Sequence, residues 1–177
     1  MLQTAAFPSI FRNAACEGAF PPLRRIAPEG RTMDSLKLLA LDTEDLSVVS
    51  THLQDAVFKT DGLSYDARHG IFSVVVNRFV WEKAAGRGKA FERRRAVVAF
   101  KRVNAVRSLG IDRKDQDAVF SLLAVNFTQK GEGPDGTLEL VLSGSASIAL
   151  DVECVEVQLA DTGGAWETSL KPRHPAV

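Results

Sequence analysis

Residues 71–81 read IFSVVVNRFVW, and the pattern they open runs on to Leu159. Val74, Val75, Val76 and Phe79 are followed by Val97, Val98 and Phe100, then by Val119, Phe120, Leu122, Leu123, Val125 and Phe127. β-Branched and aromatic residues at this density suit a pleated, half-buried surface, so these segments read as strands. Turn residues separate them: a polar stretch from Gly110 to Asp117, then Gly131-Glu132-Gly133-Pro134-Asp135-Gly136, which signals a hairpin loop. Beyond that loop Leu138, Leu140 and Leu142 alternate with Thr137, Glu139 and Val141, giving one dry face and one wet face. Gly144 turns the chain into a strand over Ile148–Cys154.

Outward from this core, Leu36–Leu41 reads as a short first strand. Asp42 or Thr43 can cap a helix there, with Glu44 and Asp45 at the positive end of its dipole. Leu46, Val49, Leu53 and Val57 recur at helical spacing, and the helix is expected to end near Asp55. Val57–Tyr65 reads as a strand, bent at Asp61-Gly62, and Ala67–Gly70 turns it into Ile71–Trp81. Arg95–Leu109 is a long strand or a bent pair, and Ala118–Thr128 is the next. Residues 152–162 fit either a short helix or a strand after a bulge, with a slight preference for strand. The pattern predicts an α+β fold of about seven strands, mainly antiparallel and curled into a roll or partly closed barrel, with one N-terminal helix packed on it. A pleckstrin-homology-like or split-barrel arrangement is the nearest analogy, at the level of fold alone.

Residues 1–32 differ from the rest: they hold Pro8, Pro21, Pro22 and Pro28, many alanines and no sustained period. They read as a disordered or mis-started tail, with Met33 standing just before the patterned domain at 33–177. The formal net charge is zero, from 22 basic and 22 acidic residues, so no long-range field draws the chain to nucleic acid or membrane. No apolar window is long enough to span a bilayer, and a cytoplasmic location is expected. The two cysteines, Cys16 and Cys154, make no disulfide framework; Cys154 follows Ile148, Leu150 and Val152 in alternation and is expected to point inward as an inert thiol.

Several segments occur together in order: His52-Leu53-Gln54-Asp55-Ala56, Asn77-Arg78-Phe79 with Trp81-Glu82, Gly136-Thr137-Leu138-Glu139-Leu140, Ser143-Gly144, and Leu150-Asp151-Val152-Glu153. In these the chain resembles a bacterial family of uncharacterised proteins, domain-of-unknown-function family 2948, over roughly Leu36–Pro175. The resemblance carries no assigned activity, so it transfers no catalytic residue.

The residues themselves offer little catalytic chemistry. His52, His69 and His174 fall on a helix, a turn and a tail, which is not a converging ligand set. His52 and Asp55 are spaced to share a helical face, and read better as a solvated pair than as metal ligands. Gly86-Arg87-Gly88 lacks the strand–glycine–helix context of a phosphate loop. No metal site, no cofactor and no catalytic residue is assigned, and the balance is against an enzyme.

Charge is segregated along the chain. Arg87, Lys89, Arg93, Arg94, Arg95, Lys101, Arg102 and Arg107 face only Glu92, whereas Glu132–Glu167 carries acids and no base. A basic face for phosphate groups or an acidic partner is one reading. Cross-strand pairing between basic and acidic strands is the other, and the neutral total favours it. The candidate binding face is Arg93, Arg94, Arg95, Lys101 and Arg102 with Trp81, which together with Phe91 flanks the basic loop and could stack on bases. Strands apolar on both faces call for curling or for cover by a second subunit. The expected function is a non-enzymatic partner-binding or adaptor domain, with an unknown protein partner or a homodimer. Nucleic-acid or phosphate-ligand binding through residues 87–107 is the alternative, and an enzyme with a non-standard site is the third.

Overall fold

The computed structural model describes residues 35–81, 91–112 and 114–168. The N-terminal segment 1–32, Gly86-Arg87-Gly88, Lys89, Cys16 and His174, on which expectations were placed above, lie outside the described residues. The described residues belong to one compact unit, Ser35–Val177.

Strand β1 (Lys37–Ala40) leads into the helix α1 (Thr43–Leu53). Asp42 caps α1: its Oδ1 accepts from the Asp45 N–H at 2.8 Å, and Glu44 and Asp45 occupy the first turn. Leu46, Val49 and Leu53 are buried, and α1 packs against β1 and two strands met below, β4 and β7. The helix stops at Leu53, where Gln54 leaves the helical region with a ψ of 131° and Asp55 follows with a left-handed φ of 60°, so Asp55 shares no helical face with His52 as its spacing had suggested. β2 (Ala56–Lys59) and β3 (Leu63–Asp66) follow, divided by a single 3-10 turn at Thr60–Gly62. Next come β4 (Ile71–Phe79), β5 (Phe91–Phe100), β6 (Val103–Leu109), β7 (Val119–Gln129), β8 (Gly136–Leu142), β9 (Ser147–Val152) and β10 (Val157–Thr168).

All pairings are antiparallel, in the order β1-β10-β5-β4-β2-β7-β8-β9-β6, with β3 also on β4. The expected α+β class and antiparallel sheet are present, but the count is ten strands rather than about seven. The sheet is open, ending in β1 and β6, and is not the strongly curled roll or partly closed barrel expected. Three breaks raise the number. The 3-10 turn splits Val57–Tyr65, and a left-handed Arg102 (φ 57°) splits Arg95–Leu109. The ambiguous 152–162 segment resolves into a link followed by β10. The bends lie side by side: Lys101 N–H donates to the Glu156 carbonyl at 2.9 Å, and Glu153 N–H to the Arg102 carbonyl at 3.1 Å.

The core is the inward face of this sheet. Phe72, Val74 and Val76, then Ala96, Val98 and Phe100, then Val157 and Leu159 are all buried at alternate positions. Leu138, Leu140 and Leu142 point inward with Glu139 exposed, as the alternation predicts. Cys154 is a correction: the strand ends at Val152, so the thiol sits half-buried in the link to β10 instead of pointing into the core.

Candidate binding face

The alternation that fills the core places three charged residues among the inward positions. Arg78 continues Phe72, Val74 and Val76; Arg94 precedes Ala96, Val98 and Phe100; Asp161 continues Val157 and Leu159. The three strands are neighbours, so the charges meet. Arg78 Nε donates to Asp161 Oδ1 at 2.7 Å and Arg78 Nη2 to Asp161 Oδ2 at 2.9 Å. Arg94 Nη1 lies 3.7 Å from Asp161 Oδ2, while Arg94 Nε donates to Glu92 Oε1 at 2.6 Å. The backbone N–H of Leu36 adds a donor to Asp161 at 3.0 Å. Burial alone would raise the Asp161 carboxyl; the Arg78 hydrogen bonds, the Leu36 N–H and the two guanidinium charges outweigh it and hold the group below its ordinary range. Among the described residues no buried side-chain polar atom lacks a partner. Arg94 is 5% exposed and so belongs to this internal network, not to an exposed face.

The remaining candidates divide. Lys101 Nζ donates to Glu156 Oε1 at 2.9 Å, Arg102 Nε lies 3.6 Å from the other oxygen of the same carboxylate, and Arg107 Nη2 donates to Asp151 Oδ1 at 2.7 Å. Arg107 and Asp151 therefore pair across neighbouring strands, and Lys101 and Arg102 meet Glu156 where the two bends lie side by side. The hydrogen bond from Lys101, with the charges of Lys101 and Arg102, draws the Glu156 carboxyl downward.

Arg93, Arg95 and Trp81 end up together. Arg93 and Arg95 alternate with Arg94 and so share the outward side of β5. Arg93 Nη1 donates to the carbonyls of Asn77 (3.1 Å) and Asp55 (3.4 Å), and its guanidinium lies 5.8 Å from the Phe79 ring centre. Burial lowers its pKa, with the Asp55 charge opposing. Trp81 packs on Phe79 at 4.5 Å between centroids and donates its indole N–H to the Gln54 carbonyl at 3.2 Å; Phe91 packs on Phe79 from the other side at 5.7 Å. Both aromatics thus build a corner around Phe79.

Arg95 is exposed, and no carboxylate among the described residues pairs with it. Its register partner is Asn77 on β4, and Asn77 is the one residue of β4 that also pairs with β2, at Val57. Beyond that bridge β2 leaves β4, and the 3-10 turn crosses the gap. A depression of about 340 Å³ opens there, lined by Val57, Phe58, Lys59, Asp61, Gly62, Val75, Asn77 and Arg95. Gly62 lines it: a Cβ there would come 3.1 Å from the Val75 carbonyl oxygen, a tight contact that glycine avoids. Lys59 is held across the rim by Asp117 at 2.8 Å.

The rest of this outward face mixes apolar residues with Ser73, Gln158 and Lys37. Ile71, Val75, Val97, Ala99 and Ala160 are half-buried, while Leu39 and Trp166 stand 49% and 41% exposed. Asn77, Arg95 and this depression were the features that sequence reasoning missed as a unit. The signal available was a polar pair at outward positions of two neighbouring valine-rich strands.

The family described as Protein of unknown function (DUF2948) matches residues 36–174. The chain belongs to that family. No curated protein and no solved structure matches it, so the pleckstrin-homology-like and split-barrel analogies gain no support from a relative. The family match covers the whole described sheet and α1 but brings no activity with it. Among the described residues no group of three or more His, Cys, Asp or Glu is placed to hold a metal, and no helix is long and apolar enough to cross a membrane.

Proposed function

We propose that this protein is a non-enzymatic binding domain whose outward face on β1, β10, β5 and β4 takes an acidic segment of a partner protein. The observation that carries the reading is the combination on one face of half-buried valine and isoleucine with cations that no described carboxylate pairs. Lys37 and Arg95 both stand exposed there, and no described carboxylate pairs with either. Apolar area supplies affinity, and unpaired charge at its edge selects the sign of what binds. Nucleic-acid binding is the weaker reading because Arg94, Lys101, Arg102 and Arg107 already have carboxylate partners. A phosphate backbone needs several free cations in a row.

Site-specific photo-crosslinking in the source cell tests this. A benzophenone side chain at Trp166, an exposed aromatic position on the face, should give a discrete adduct with another protein; one at Glu139 on β8 should not. Equal adducts from both positions, or none from Trp166, would remove the face from consideration. An adduct of two copies of this chain would replace the acidic partner by a homodimer.

A further inference from the structure

We infer that the depression beside Arg95 is a recognition pocket for one carboxylate side chain, an aspartate or glutamate carried by the partner next to an apolar residue. The inference rests on the partner-binding reading and names the chemistry that its central pocket reads.

Four features converge. Arg95 supplies a planar fork of donors that matches a carboxylate in two parallel hydrogen bonds. The stem of Arg95 lies beside the bulge in β10, where the register shifts between Asp161 and Ala165. A Cβ on Gly163 in that bulge would come 3.1 Å from Arg95 Cβ, so the glycine leaves the stem room that a larger residue would crowd. Asn77 lies opposite Arg95 in register, and its side-chain amide offers a further donor at the same end. Val57 and Val75 line the pocket between them and suit the methylenes of an acidic side chain or an adjoining apolar residue.

The charges of the lining limit what fits. Asp61 also lines the pocket, and no described cation is hydrogen-bonded to it; Lys59, another lining residue, donates to Asp117. The Asp61 charge disfavours a second anion. Phosphate-reading sites collect several arginines; this pocket has one guanidinium, a lysine paired elsewhere and a carboxylate, a balance suited to a monoanion. A volume of about 340 Å³ lies at the small end for ligand sites, enough for a side chain and its neighbour.

The test uses the full chain, isotopically labelled for amide and arginine Nε resonances. The probes are the capped tripeptide acetyl-Val-Glu-Val-amide, its glutamine analogue and inorganic phosphate. The glutamate peptide should shift Val75, Asn77 and the Arg95 Nε signal saturably, and should bind about tenfold more tightly than the glutamine peptide, the scale of one charge-assisted contact. Arg95→Met should abolish the difference while other resonances stay in place. Gly163→Ala, which keeps the charge but crowds the stem, should weaken the glutamate peptide more than the glutamine one. Equal binding of both peptides would overturn the pocket assignment and leave the face as a docking surface. A larger Arg95 shift with phosphate than with the glutamate peptide would overturn it in favour of a phosphate ligand. No shift from either peptide, with Trp166 crosslinks still forming, would sink the pocket and spare the partner reading.

Discussion

Arg78 and Asp161 form a two-bond ion pair in which each side chain is 1% exposed. It joins β4 to β10 across β5, which lies between them in the sheet. Desolvating two charges is costly, and pairing returns that cost only when the geometry and the surrounding hydrogen bonds are complete. Here they are complete, with Leu36 N–H and Arg94 filling out the carboxylate.

Removing one member should therefore be severe. Asp161→Asn takes this carboxylate charge away from the buried Arg78 guanidinium, and should cost about 3–5 kcal/mol in urea unfolding, the range for breaking buried pairs. A cost under about 1 kcal/mol would mean that water reaches Arg78 in solution.

The same carboxylate sets an acid limit. Its pKa is depressed in the folded chain, so its stabilising contribution is complete above the unfolded aspartate value of about 3.9 and is lost as pH falls through the lower folded value. Glu156, also depressed, adds in the same direction. Stability measured from pH 6 downward should hold until about pH 4 and then decline. A decline beginning near pH 6 would contradict the assignment of the acid limit to these carboxylates.

The β8 register is open to a paired test. Leu140 is fully buried and Glu139 exposed, so Leu140→Ala should cost about 2–5 kcal/mol and Glu139→Ala less than about 0.5 kcal/mol. Reversed costs would mean a one-residue slip of the strand.

Much of this architecture is legible in the chain. The alternation of Leu138, Leu140 and Leu142 gives a correct register because period-2 burial leaves no second solution. The Asp42 cap and the Leu46-Val49-Leu53 stripe give α1 in the same local way. What is hidden depends on single backbone conformations. The extended ψ of Gln54 ends α1 and the left-handed φ of Arg102 divides β5 from β6, and neither residue type announces it. Cys154 is misplaced because the alternation before it stops two residues short.

The basic segment shows a subtler limit. Counting its charges groups Arg93, Arg94 and Arg95, but strand parity sends Arg94 to the core with Arg78 and Asp161, and the other two to the outer face. That parity is readable: a charged residue continuing an inward row of Val, Ala and Phe marks a buried ion pair as well as a possible site. The β2–β4 gap is not readable, since it depends on which strands become neighbours.

The role proposed for Arg95 is in binding, with little contribution to folding. The Trp166 crosslink yield in Arg95→Glu against the unsubstituted chain, with the melting temperature of each recorded, separates the two. The yield should fall several-fold while melting moves by less than about 2 °C, because an exposed charge with no described partner contributes little to stability. An unchanged yield, or a yield that falls only in step with a lowered melting temperature, would contradict it.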